Sequence, residues 1–439
     1  MGVAVWIRKQ MSPSTLDDSN VDCALAAMPT LALSVADLRS EYPKRRAREI
    51  TQELVAQKLI RAVSSERQLQ EVLVDFWFNH FNVDGAKGQD RWMISAYERD
   101  AIRPHVFGKF RELLGATAHH PAMLFYLDNW LSVREGAKPA GKKPARGLNE
   151  NYGRELLELH TLGVDSGYSQ DDVRETARAF TGWSFGRDDG SFVFHPKVHD
   201  GGTKKVLGQA IDDGGERDGE HVLDLVAKSP ATARFVAEKL CRKFVSDTPP
   251  AALVSRVAAT FTRTDGDLSA VYGEIFESPE LWSKNAMRAK VKTPLELVVS
   301  AMRAVGATVD RSAAVARVLE TLGEPLYRCA PPTGFAEESR AWVSSGALVT
   351  RINFGLDLAA GRVPGVRFDR EALLGTEALH EDASDAVALV DALAMRVLHA
   401  PLSSATRAAL VSEVADTDER QRAVRALGLL LGSPEFQKQ

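Results

Sequence analysis

Asn149-Glu150-Asn151-Tyr152-Gly153-Arg154-Glu155-Leu156-Leu157-Glu158-Leu159-His160 is the stretch from which this chain is best read. On a helix at 100° per residue, Asn151, Glu155 and Glu158 share one face within about 60°, and Leu156, Leu159 and His160 take the other side. Apolar residues recur at the same three- and four-residue spacing near 45–64, 66–82, 104–117, 170–181, 230–246, 294–305, 340–360, 385–399 and 419–432. Helix-start signals support the pattern. Thr293-Pro294-Leu295-Glu296 is a capping box with proline at the first helical position. Ser229-Pro230, Ser278-Pro279-Glu280 and Ser433-Pro434-Glu435-Phe436 read as a recurring helix–Ser-Pro–helix joint.

Strand signal is confined to about 183–210, where Ser191-Phe192-Val193-Phe194 alternates and Lys205-Val206-Leu207-Gly208 returns after the Asp200-Gly201-Gly202 turn. The expected fold is all-α: a multi-helix array with one small β-hairpin insert. Residues 134–147, rich in Lys, Gly and Pro, are expected to form a mobile loop. The least periodic stretch, 206–220, divides a region 1–210, with the polar clusters and the hairpin, from a helical region 211–439 packed as one unit with it.

Composition narrows the function classes. The 439 residues are 44% hydrophobic and 26% charged, enough apolar material for a large core. Lys+Arg 55 against Asp+Glu 59 leaves a net charge of -4, with no basic excess to suggest nucleic-acid binding. Cys23, Cys241 and Cys329 are too scattered for a disulfide framework or a zinc knuckle. No apolar run is long enough to span a membrane. The opening, MGVAVWIRKQMSP, is not a signal peptide, so the sequence as written reads as cytoplasmic. HExxH, P-loop and dinucleotide fingerprints are absent.

Three polar clusters could carry chemistry. In the central helix, Glu155 and Glu158 can hold a metal or divide acid and base roles, with Asn149 and Asn151 positioning substrate. The plainer reading is a solvated face with Arg154 and Glu158 as an i,i+4 pair. In Asp75-Phe76-Trp77-Phe78-Asn79-His80-Phe81-Asn82, Asn79 and His80 interrupt an apolar pattern. They form either an interhelical hydrogen bond or a ligand-and-binding pair. In His195-Pro196-Lys197-Val198-His199-Asp200, His199 and Asp200 sit at a turn that reads either as surface or as the wall of a cleft. Asp128-Asn129 ends a helix beside the 134–147 loop, which makes Asn129 either a cap or a cleft residue.

Asn149 to Gly163 resembles the central signature of a bacterial family known as domain of unknown function 1800. The resemblance continues through Asp172-Val173, Ala177-Arg178-Ala179-Phe180-Thr181-Gly182-Trp183, His199-Asp200, Lys204 and Leu207-Gly208. It also covers Phe76 to Phe81, Pro121 to Leu124, Tyr126 to Asn129, Lys292-Thr293-Pro294, Pro331 to Gly334, Trp342 and Ser433 to Gln437. It implies a mainly helical fold and commonly export, hence a periplasmic or secreted address, and brings no established activity.

Two functions are weighed. The first is a metal-assisted hydrolase acting on an extracytoplasmic polymer such as a polysaccharide. Glu155, Glu158 and Asp172 would be catalytic, and His80, Glu155, His199 and Asp200 would hold a divalent metal. Asn79, Asn129, Asn149, Asn151, Arg178 and Trp183 would bind a glycan, Trp183 by stacking on a sugar ring. The second is a non-catalytic binding or scaffold protein in which the same residues form a structural polar network or metal site.

Overall fold

The computed structural model describes residues 2–137, 147–164, 166–212, 214–310, 313–374 and 385–439. It is mainly helical, with three two-stranded antiparallel sheets among the described residues. The periodic stretches form helices Arg48–Ser64, Gln68–His80, Phe110–His119, Gln170–Ala179, Pro230–Phe244, Pro294–Ala304, Ser345–Ala359, Ala386–Leu398 and Glu419–Leu431.

Their ends follow the sequence signals. Glu296 N donates to the Thr293 hydroxyl at 3.3 Å and Thr293 N to Glu296 Oε2 at 2.8 Å, which closes the capping box. The Ser229 hydroxyl accepts from Ala231 N and the Ser433 hydroxyl from Phe436 N. Ser278 departs from the expected joint. Its hydroxyl donates back to the Ile275 carbonyl at 2.7 Å, closing helix Leu268–Phe276, and residues 279–288 run on as turns.

Region 183–210 holds more strand than one hairpin. Trp183–Phe185 pairs with Phe192–Phe194, and Lys204–Val206 pairs with Gln209–Ile211. The second hairpin turns on Leu207 and Gly208, at φ 50° and 81°. Positive φ at both central residues gives the turn twist that matches antiparallel strands. A leucine in that conformation is not a residue from which a turn is read. A third pair, Thr308–Val309 with Val366–Arg367, joins segments far apart in the chain. In the loop expected at 134–147, residues 138–146 lie outside the described residues.

The central motif is only partly α-helical. Asn151–Glu155 runs into a π-helical turn, Leu156–Thr161. There the Thr161 hydroxyl donates to the Leu156 carbonyl at 2.6 Å and Leu162 N to Leu157 O at 2.9 Å. Such widened turns recur at functional sites. Gly153 lets this segment lie directly on helix Gln170–Ala179: a Cβ there would meet Ala177 N at 2.9 Å and Val173 O at 3.1 Å, both backbone. Gly153→Ala is therefore expected to destabilise the fold by about 1–3 kcal/mol through overpacking. Urea unfolding checks this.

One buried apolar cluster runs from Val35 to Phe436 and crosses residue 210 without a break. Trp77 sits fully buried in it, its Nε1 donating to the Tyr272 hydroxyl at 2.6 Å, which donates in turn to the Val106 carbonyl. No helix among the described residues is long and apolar enough to cross a membrane.

Candidate functional site

The fold places most of the sequence-derived candidates in structural bonds. His80 is buried, with Nε2 at 3.0 Å from the His160 carbonyl and Nδ1 at 3.0 Å from Lys239 Nζ, so neither ring nitrogen is free for a metal. Burial first, then the Lys239 charge, holds its basicity well below the usual histidine range. His199 is buried too, with Nδ1 at 2.8 Å from the Thr181 carbonyl and Nε2 at 3.0 Å from Asp218. Asp200 accepts both ends of the Arg178 fork at 2.9 Å, and Arg178 also binds Glu175. The shell proposed from His80, Glu155, His199 and Asp200 is therefore not assembled. Among the described residues, only His119, Glu216 and Glu220 bring three ligating atoms within 4.8 Å of one another. In that group His119 Nε2 lies 2.8 Å from Glu220, and Glu220 also binds Arg111 at 2.6 Å, which ties two helices together.

Asp172 is a helix cap. It accepts from the Ser169 backbone and hydroxyl and, at 2.7 Å, from Leu207 N, so both carboxylate oxygens are held in structural bonds. Trp183 is fully buried against His119, Phe180 and Phe192, so it offers no platform to a sugar. Gly182-Trp183-Ser184-Phe185-Gly186 fits a Gly-x-Ser-x-Gly pattern, but Ser184 lies mid-strand opposite Val193 and not on a strand-to-helix elbow. The asparagines bind backbone. Asn129 donates to the Phe180 and Trp183 carbonyls, Asn151 to Leu127, and Asn149 to Asp128 while it accepts from Asn151 N. Asn79 clamps Phe335 from both sides, at 2.9 and 2.7 Å. Gly334, at φ 71°, packs so closely that a Cβ would lie 2.4 Å from the Asn79 carbonyl oxygen. Gly334→Ala is therefore expected to displace the 331–335 loop, at about 1–3 kcal/mol in stability. Thermal unfolding checks this.

Glu155 and Glu158 remain open. Both are half-buried, and neither carboxylate has a hydrogen-bond or ion-pair partner among the described residues; Arg154 binds Glu150 and Gln170 instead. Burial first, then the charge of Glu158, raises the proton affinity of Glu155.

The densest ionisable constellation lies elsewhere, in a cleft of about 500 Å3 where the Arg48–Ser64, Gln68–His80, Pro230–Phe244 and Pro294–Ala304 helices meet. Lys58, Arg103, Lys243, Lys290 and Arg303 line it against Glu71, Asp75 and Glu296, an excess of two positive charges. Lys58 Nζ lies 2.6 Å from Asp75 and 4.9 Å from the centre of the Tyr327 ring. Arg103 grips Glu71 at 2.7 and 2.9 Å and reaches the fully buried Glu98 at 3.2 Å. Glu98 also takes the Tyr327 hydroxyl, from within a second π-helical segment, Tyr97–Ile102. Lys243 pairs with Glu296 at 2.8 Å.

Asp75, Lys58 and Lys243 also line a small enclosed cavity of about 30 Å3 behind the cleft, with Glu324 on its wall. That is room for one or two waters, at roughly 10–15 Å3 each. Glu324 is 6% exposed, and Leu295 N donates to its Oε2 at 2.7 Å. Burial first, with the charges of Asp75 and Glu296 adding, pushes its carboxyl up to about 8. Burial also acts on Glu296, but the Lys243 pair and the Thr293 backbone bond overcome it and hold Glu296 down to about 2. Two carboxylates at the start of one helix thus have proton affinities pushed far apart, Glu296 by its ion pair with Lys243 and Glu324 by burial.

The pH consequence has a definite sign. An acid raised from 4.5 to about 8 binds its proton in the folded state across that window, so this contribution to stability falls as pH rises through it and the penalty is complete above about 8. Glu324→Gln is expected to flatten that slope, as read from urea midpoints at pH 5, 7 and 9.

Fold and site define a mainly helical protein with a charged interior cleft. The chain belongs to the family described as a protein of unknown function, DUF1800, which matches residues 1–438. No curated protein and no solved structure matches it.

Proposed function

We propose that the protein is a hydrolase of an extracytoplasmic polymer, a polysaccharide bearing acidic groups, acting where the charged cleft meets the small cavity that Lys58 and Asp75 share with Glu324. The observation that supports this most is Glu324, a carboxyl kept protonated near neutral pH on the wall of a water-sized cavity shared with Asp75. Glu324 donates its proton to the leaving oxygen, and Asp75 takes one from the attacking water. Asp75 lines both the cavity and the open cleft, so it lies between stored water and bound polymer. The cationic excess of the cleft favours an acidic substrate. Export of the polymer-degrading chain from the cytoplasm follows the family resemblance. The Glu155–Glu158 pair is a second place for acid chemistry, since the Glu155 carboxylate has no hydrogen-bond or ion-pair partner among the described residues and burial, then the charge of Glu158, raises its proton affinity. A divalent ion, where one binds, has the His119–Glu216–Glu220 group as its site.

The test is release of reducing ends from uronate-containing, sulfated and neutral polysaccharides, followed from pH 5 to 9. Hydrolysis of acidic polymers that fails above about pH 8 supports the reading. Absence of turnover on every polymer supports the alternative of a non-catalytic scaffold. The favouring observation for that alternative is mutual pairing: Arg103 with Glu71 and Glu98, and Lys243 with Glu296, are satisfied within the protein.

A further inference from the structure

Lys292 is nine-tenths buried, yet its ammonium has no hydrogen-bond or ion-pair partner among the described residues. Nζ sits 4.0 Å above the Phe436 ring and faces a groove of about 420 Å3. A buried ammonium without a bonded partner is costly; burial lowers the proton affinity of Lys292, and the charge of Glu296 opposes that without a direct ion pair. Here the groove supplies further cations instead, Arg288 and Lys438, and neither has a charged or hydrogen-bonded partner for its side chain among the described residues. Its one side-chain carboxylate, Glu435, accepts from Ser403 N at 3.1 Å through one oxygen, while the other is buried with no hydrogen-bond partner among the described residues. The same groove is lined by Trp282, 55% exposed, its ring held by an Nε1 bond to the Phe276 carbonyl at 2.8 Å. A positively charged end and a fixed, open aromatic face call for a ligand with an anionic group on a ring. Gln439 lines both this groove and the charged cleft, so the two are neighbours in the fold.

We propose that this groove is a binding subsite for a sugar acid, its carboxylate taken by Lys292 with Arg288 and Lys438, and its apolar ring face laid on Trp282. The anion site stands on Lys292 and its neighbours. The choice of a sugar as the ring rests on the hydrolase reading above.

Calorimetric titration of the full chain with galacturonate, glucose, benzoate and inorganic sulfate tests it. Galacturonate is expected to bind and glucose not. Lys292→Met, which exchanges a buried charge for an apolar chain of similar length and so keeps the fold, should weaken binding at least about tenfold. Trp282→Ala, at an exposed position, should weaken it by about tenfold as well. Glu324→Gln should leave binding unchanged, so loss of hydrolysis with intact galacturonate binding separates failure of the cleft mechanism from failure of the subsite. No galacturonate binding, sulfate or benzoate binding in its place, or binding indifferent to Lys292→Met would each overturn the proposal.

Discussion

Replacing Asp218 with alanine is expected to destabilise the protein by about 3–5 kcal/mol, the cost of leaving a buried charge unpaired. Asp218 is 1% exposed and serves three groups at once. It pairs with Lys204, itself 1% exposed, receives His199 Nε2 at 3.0 Å, and accepts from Gly214 N at 2.8 Å. Lys204 begins the second hairpin and Asp218 lies in the first turn of helix Arg217–Ala227, so their pair fixes strand to helix. Removing the carboxylate leaves the buried ammonium with the Asp200 carbonyl and the His199 ring but no counter-charge against it. Such a loss is a large part of the roughly 5–15 kcal/mol that holds a typical domain folded. The double variant Asp218→Leu with Lys204→Met removes both charges and should recover most of the loss. Urea unfolding of the three proteins measures this. A single variant within about 0.5 kcal/mol of the parent would show that the pair is not formed.

The second large effect is catalytic. Asp75→Asn and Glu324→Gln should each lower turnover of an acidic polymer by about 10²–10⁴-fold, the usual contribution of one positioned acid or base. The two changes should not multiply, because donor and acceptor act in one step. Asp75→Asn also weakens the hold on Lys58, whose Nζ keeps its aromatic contacts with Phe78 and Tyr327 and the more distant charge of Glu98. A stability measurement must therefore accompany each rate. Glu155→Ala serves as the contrasting variant: it should keep turnover if the interior cleft is the working site and lose it if the central motif is.

The helices were legible because their apolar faces repeat at helical spacing, and Thr293-Pro294-Leu295-Glu296 announced its own cap. The π-helical turn at Leu156–Thr161 was not, since a projection at 100° per residue presumes the α-helical period throughout. Nor was the second hairpin, whose turn rests on a left-handed Leu207. Among the site residues, Asn79 and His80 were read as groups that must find partners, and they do, on Phe335, His160 and Lys239. The cleft escaped notice because Lys58, Asp75, Lys243, Glu296 and Glu324 come from five separate segments and share no local spacing. One signal was present. Glu71, Asp75 and Asn79 recur every four residues on the Gln68–His80 helix, a polar stripe among residues that are mostly buried, with Glu71 itself 9% exposed.

The central claim is that Glu324 holds a proton at neutral pH on the wall of the cavity behind the cleft. Infrared difference spectra of the parent minus Glu324→Gln, recorded from pH 4 to 10, read that proton without a substrate. A protonated-carboxyl band that persists at pH 7 and vanishes with a midpoint near 8 is the predicted result. A band already lost by pH 5 would contradict it and leave the cleft without its acid.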